Sequence, residues 1–387
     1  MTSRRPLLIA LLVLSAAVGG YGAYWWAAAA QAERAIDRWI ADWRAAGYTV
    51  DAGTRSLGGF PGVVTIGHDA VRLSDPEDVW GWRGERLVFE VRPWAPTDYR
   101  LELIGAHRLH APVAGERAHF HLDAARAVGG AEIDLSGRLR RVTVTFDALS
   151  LASPDLALEA AAQRLIATLD LPAEPPRSAE ETTAELMLTG DGVQLPARYA
   201  GPLGDRIERV SARLHVLGPA PQAGLRQTLT AWRDAGGRVE TPWLRVGWGP
   251  LGLDAEGALS LDEALRPVGA YQARISGLDR AIDRFREAGL IEPGAARLLA
   301  GGARLLARAG ADGRRYIDMP VTAENGGLFI GPVRVAYLPP VIAPPAGAAG
   351  VPPVSAAPAP APVQVEELPA LPAPPPTVSP DFPARGG

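Results

Sequence analysis

The chain has 387 residues, 47% of them apolar, enough to supply one large core or two ordinary ones. It has no cysteine, and all 39 of its basic residues are arginine, which excludes thiolate nucleophiles, disulfides, thiolate metal sites, Schiff bases and Walker-type phosphate lysines. The net charge of −4 is spread along the chain and lacks the basic footprint that nucleic acid demands. Abundant Ala, Gly, Pro and Arg with a single asparagine, Asn325, reads as a genomic bias, but the chemical exclusions hold whatever its origin.

The first element is an uncharged run from Leu7 to Ala30, led by Arg4 and Arg5. At about 1.5 Å per helical residue it reaches across a hydrocarbon core of about 30 Å. Tyr21, Tyr24, Trp25 and Trp26 cluster toward its far end, where an interfacial aromatic belt sits, and the arginines hold its start in the cytoplasm. The expected orientation is N-terminus in and the bulk of the chain out. A cleaved signal peptide is the competing reading, because Ala28 and Ala30 fit a small-x-small site, but the run outlasts a usual h-region of about 7 to 15 residues. Ser3-Arg4-Arg5-Pro6-Leu7-Leu8 is a weak match to a twin-arginine signal. Ala35, Ile36, Trp39, Ile40 and Trp43 keep helical spacing up to Gly47, so anchor and first structural unit form one rod that mounts the sheet close to the membrane.

Beyond Gly47 the apolar period changes from 3.6 to 2. Leu87, Phe89 and Val91 alternate with polar neighbours, as do Val142, Val144 and Phe146, then Val210, Ala212, Leu214 and Val216, then Leu253, Ala255, Gly257, Leu259 and Leu261. A large antiparallel sheet with one wet face follows. Trp43-Arg44-Ala45-Ala46-Gly47 and Trp232-Arg233-Asp234-Ala235-Gly236 both end helices, and in that register Pro61 falls on Pro250, which reads as a duplicated helix-strand-turn-strand unit. Leu278, Ile282 and Phe285 form one helical stripe. After Pro293, Leu298, Leu299, Leu305, Leu306 and Ala309 form another, and both need an apolar surface to cover. Asn325-Gly326 signals a type I′ hairpin.

The fold class is therefore α+β, predominantly antiparallel β: a large curved sheet with two duplicated helix-strand-turn-strand units, covering helices and one N-terminal transmembrane helix. The expected plan is a cytoplasmic N-terminus (1–6), an anchor (7–30), a β-rich extracytoplasmic domain (31–338, with related halves 31–175 and 179–338 about a Pro-rich loop) and a disordered Pro/Ala-rich tail (339–387).

Few residues invite chemistry. His107, His110, His119 and His121 fall on two strands joined by Ala111 to Arg117. If His110 lies opposite His119, then His121 and Asp123 share that face and offer ligands to a divalent metal, although water-exposed strand faces routinely carry histidine. His110, His119 and His121 are thus weak metal candidates, and no metal or cofactor is expected. Gly247-Trp248-Gly249-Pro250-Leu251-Gly252 satisfies G-x-G-x-x-G as a string but leads into a strand, where dinucleotide binding needs a helix N-terminus. Trp80 and Trp82 share a strand face with Trp94 nearby, lining an amphiphile site or, as the favoured reading, packing the core. No catalytic residue is nominated, and the chain is not expected to be an enzyme.

Gly58-Gly59-Phe60-Pro61, Trp80-Gly81-Trp82-Arg83-Gly84-Glu85-Arg86-Leu87, Arg92-Pro93-Trp94, Trp232 to Gly237, Trp248-Gly249-Pro250-Leu251, Leu265 to Gly269 and Gly331-Pro332 together resemble the bacterial family called domain of unknown function 2125, over residues 30 to 338. The resemblance implies a single-pass protein of the inner membrane facing the periplasm, with no assigned activity and no functional residues to carry over. Two functions are weighed: a lipid or amphiphile binder using the apolar face of the sheet, and an envelope scaffold that engages protein partners through its surface and Pro-rich tail.

Overall fold

The computed structural model describes residues 5–134, 136–196, 201–221, 223–310 and 315–343. The first element, α1 (Arg5–Ala45), is one uninterrupted 41-residue helix. Its sequence divides it in two. From Ala10 to Gly20 the side chains are bare, whereas Trp25, Ala29, Ala32, Ile36 and Ile40 recur at helical spacing and are buried against Val50, Val64, Ile66, Val91 and Tyr99. The protein core therefore claims Trp25 and Ala29 of the expected 7–30 span, which are among the most deeply buried side chains described, while Trp26 and Ala27 stay exposed.

Strands β1 (Thr49–Asp51), β2 (Thr54–Gly58), β3 (Val64–Ser74), β4 (Gly81–Arg92), β5 (Ala95–Val113), β6 (Glu116–Ile133), β7 (Leu139–Ser153), β8 (Leu158–Asp170) and β9 (Thr182–Gln194) follow as an antiparallel meander. It continues through β10 (Arg206–Leu217), α2 (Leu225–Asp234), β11 (Arg238–Trp248), β12 (Leu251–Leu261) and β13 (Pro267–Ser276). After α3 (Leu278–Glu287) and α4 (Pro293–Leu306) the sheet closes with β14 (Arg308–Ala309), β15 (Arg315–Glu324), β16 (Gly327–Ile330) and β17 (Val333–Tyr337). All the described strands belong to one sheet. The Pro-rich stretch from Leu171 to Ser178 is the loop between β8 and β9, which pair directly.

Two units share one plan. After α1, Gly47 N–H donates to Arg44 O and Tyr48 N–H to Trp43 O; after α2, Gly236 N–H donates to Arg233 O and Gly237 N–H to Trp232 O. Both are Schellman caps, and both place a glycine at positive φ, which a side chain would resist. The strand after α2 is the single β11, while its counterpart is broken at Gly53 into β1 and β2.

The start of α2, just past β10, lies against the β3–β4 loop. There Asp75, 2% exposed, accepts from the Leu225 N–H at 2.7 Å and from the Glu77 N–H at 3.1 Å, and the Tyr48 hydroxyl donates to Ala223 O at 2.8 Å. Gly224 gives α2 no side-chain cap, so Asp75 supplies one from 150 residues away. Asp75→Ala is expected to cost about 1–3 kcal/mol through the amide left unpaired. Hydrogen exchange should quicken at the first turn of α2 while the β7–β8 ladder stays protected.

The chain beyond β17 secures the same rim. Val341 N–H donates to Leu265 O in the β12–β13 loop, and Ile342, 4% exposed, bridges Gly115 in the β5–β6 turn. Order was expected to end at Leu338. It extends to Ala343, where the buried Ile342 is bridged to Gly115, and the rest of the expected tail, from residue 344, lies outside the described residues.

Asn325 and Gly326, both at positive φ, make the expected two-residue hairpin turn between Glu324 and Gly327. The helices after β13 cover less than their stripes imply. Ala281 and Ile282 of α3 are buried, but only Ala296 of α4 is, and Leu298, Leu299, Leu305 and Leu306 stand exposed.

Candidate functional site: the apolar face of the sheet

Strand register aligns apolar side chains across the whole sheet. One row runs Leu57, Ile66, Phe89, Leu101, Gly129, Val144 and Ala167, and continues through Leu188, Ala212, Leu244, Ala255, Ala273 and Met319. A parallel row holds Leu87, Leu103, Ala127, Phe146, Leu165, Gly190, Val210, Val246, Leu253, Ile275 and Ile317. With neighbouring strands about 4.8 Å apart, twelve steps give an apolar band about 55–60 Å long. Bulges shift the register within β5 and β11, and the rows survive because Leu101 and Leu103, and likewise Leu244 and Val246, lie to one side of each shift.

The band is covered unevenly. The hydrophobic stripe of α1 closes it over β1 and β3 to β5, and α3 packs at β12. Across β7 to β9, Val144, Phe146, Leu165, Leu186 and Leu188 are only half-buried, shielded by neighbours on the same face. The space left between Leu103, His107, Leu122, Ala127, Phe146 and Leu149 is about 10 Å³, so a ligand on this band would lie along it and not inside a closed cavity.

The opposite face is charged. Asp147, Arg164, Asp191 and Arg209 stand opposite one another from β7 to β10, with Arg164 bonded to Asp147 at 2.8 Å and Arg209 to Asp191 at 2.7 Å. Such exposed pairs fix register more than they stabilise. Concavities of about 290 and 380 Å³ open on this side. In the larger, Arg245 pairs with Asp254 at 3.2 Å and lies over the Trp243 ring, and Arg274 pairs with Asp318 at 3.4 Å and lies over Tyr316. These two pairs answer one another, and Glu256 also lines the hollow.

The histidine candidates occupy the predicted register. His110 lies opposite His119, with ring centroids 6.0 Å apart, and His121 and Asp123 follow on the same face. Each of the first two faces its own carboxylate: His110 Nε2 is 3.1 Å from Asp78, and His119 Nδ1 is 2.8 Å from Asp155. The His119 backbone N–H and ring together hold the Asp155 carboxyl below its usual range. Among the described residues no group of three or more metal-ligating side chains is assembled.

His107 points the other way, onto the apolar face. It is 6% exposed, stacked on Trp82 at 5.7 Å with an 11° interplanar angle, and neither ring nitrogen has a hydrogen-bond partner. Burial pushes its pKa below the ordinary imidazole value. The unfolded chain then takes up a proton near pH 6.5 that the folded chain refuses. Stability is full above that pH and falls as pH drops toward the depressed folded value. His107→Phe, which keeps the stack, is expected to flatten the decline of Tm between pH 7 and 5; an unchanged decline contradicts this. His68, also buried and depressed, supplies the residual slope.

The tryptophans are dispersed. Trp80 packs near Tyr48 and Trp82 on His107, whereas Trp94 lies past the other end of β4, about 40 Å away at the rise of an extended strand, and is 63% exposed. Sequence reading placed them together because it had no means to see that β4 runs unbroken between them. The G-x-G-x-x-G string is the two-residue turn between Trp248 and Leu251, joining β11 to β12.

Fold and band together define an α+β protein built on one large antiparallel sheet, and among the described residues the one helix long and apolar enough to cross a membrane lies near the N-terminus. Residues 25–339 match the family described as "Uncharacterized protein conserved in bacteria" (DUF2125), and the chain belongs to that family. The match begins at Trp25, where α1 joins the core. No curated protein and no solved structure matched the chain.

Proposed function

We propose that this protein is a non-catalytic, membrane-anchored binding protein of the bacterial envelope. It is held in the inner membrane with its sheet on the periplasmic side, and carries lipid or another amphiphile along the apolar face. The observation behind this reading is the apolar band, continuous in register from β2 to β15 and left without a helix over β7 to β9. Burying that surface is worth about 25 cal/mol per Å² to an apolar partner, and an acyl chain matches its narrow, extended form.

Retention of the N-terminal helix is part of the same reading. Cleavage after Ala30 would remove Trp25 and Ala29 from the core, which supports an anchor over a removable signal. The test is native mass spectrometry of the full chain extracted in a mild detergent, with lipid extraction in parallel. Stoichiometric lipid retained after detergent exchange is expected, and a lipid-free protein overturns the proposal.

A further inference from the structure

We propose that the β2–β3 and β4–β5 turns are themselves membrane-binding elements, seated in the headgroup layer of the bilayer that α1 crosses. This rests on the anchor reading above and adds to it a second, sheet-borne contact with the membrane.

Three hydrogen bonds fix the height of these turns on the helix. Tyr21 donates through its hydroxyl to Pro61 O at 2.5 Å, Tyr24 to Pro93 O at 2.7 Å, and Trp25 through its ring N–H to Gly62 O at 2.8 Å. The carbonyls belong to the two turns, so neither turn rides free of the helix. From Arg5 to the stretch between Tyr21 and Trp26 the helix rises about 24 to 32 Å, the thickness of a hydrocarbon core. A helix entering at its N-terminal arginines therefore leaves the hydrocarbon at the level where the turns are tied.

The side chains at that level suit the place. Phe60 is 54% exposed at one turn, Trp94 63% at the other, and Trp26 59% on the helix between them. Large aromatic rings standing out together at the root of an apolar helix are costly in water. They are favoured at a membrane interface, where an apolar ring body meets lipid and a polar edge meets water. Arg92, exposed beside Trp94 and loosely paired with Asp98 at 3.8 Å, brings a basic group to the same turn.

The absence of cysteine makes the test direct. Single substitutions Leu12→Cys, Phe60→Cys, Trp94→Cys and Glu159→Cys in the full chain are spin-labelled and reconstituted into phosphatidylethanolamine–phosphatidylglycerol vesicles. Relaxation by oxygen is then compared with relaxation by a water-soluble nickel complex. The oxygen-to-nickel ratio is expected to be highest at 12, lowest at 159, and severalfold above the 159 value at both 60 and 94. If 12 reads as lipid while 60 and 94 match 159, the turns stand in water and the proposal fails with the anchor intact. If 12 also matches 159, the anchor reading fails and takes the proposal with it. A surface meant for a protein partner gives the first of these failures.

Discussion

Trp25→Ala is expected to destabilise the sheet domain by about 3–5 kcal/mol, the cost of deleting a fully buried indole from a core. Trp25 is 1% exposed and leads the stripe that holds α1 on the sheet, and its ring N–H serves Gly62 O. The variant therefore loses apolar contact and also leaves a carbonyl without its donor. Trp26→Ala, one residue on but 59% exposed, is the control, expected within about 0.5 kcal/mol of the parent. Urea titration of both in the same micelles checks the pair. Equal effects would mean that the helix is only a tether and not part of the core.

The second large effect is on binding. Phe146→Asp and Leu188→Asp place a carboxylate on the half-buried part of the band, where desolvating it against an acyl chain is costly. Either is expected to abolish retained lipid. Thr145→Asp, adjacent to Phe146 but on the charged face beside Val128 and Ile166, should leave it unchanged. Circular dichroism and proteolysis establish that each variant is folded. Lipid retained by both inner-face variants would remove the band from the account.

Much of this fold was legible in the sequence because the signals are local. The period of two in Val142, Val144 and Phe146 marks a strand with one apolar face, Asn325-Gly326 marks a hairpin, and the shared Trp-x-x-x-Gly endings mark two equivalent helix caps. The continuity of α1 through Ala45 was legible from the same spacing. What the residues could not express was global geometry. The cap that Asp75 gives α2 joins residues 150 apart in the chain, and the docking of Ile342 on the β5–β6 turn likewise joins segments that no local pattern links.

The candidate site divides in the same way. Each apolar residue of the band was visible as a member of its own strand, but their alignment into one row needs every register and every bulge. The facing of His110 and His119 is the condition the spacing raised, whereas the carboxylates facing them, Asp78 and Asp155, come from separate loops with no signal in the spacing. The aromatic turns illustrate the converse. Trp94, expected to pack the core with Trp80 and Trp82, instead stands exposed with Phe60 in turns that three hydrogen bonds tie to the foot of the helix.

Photo-crosslinking from the band tests the central claim most directly. With p-benzoylphenylalanine in place of Phe146 in one protein and of Arg164, on the charged face, in another, each is irradiated in native membranes and analysed by intact mass. The account predicts lipid adducts from position 146 and none from 164. Equal yields at the two positions, or none at either, would contradict it.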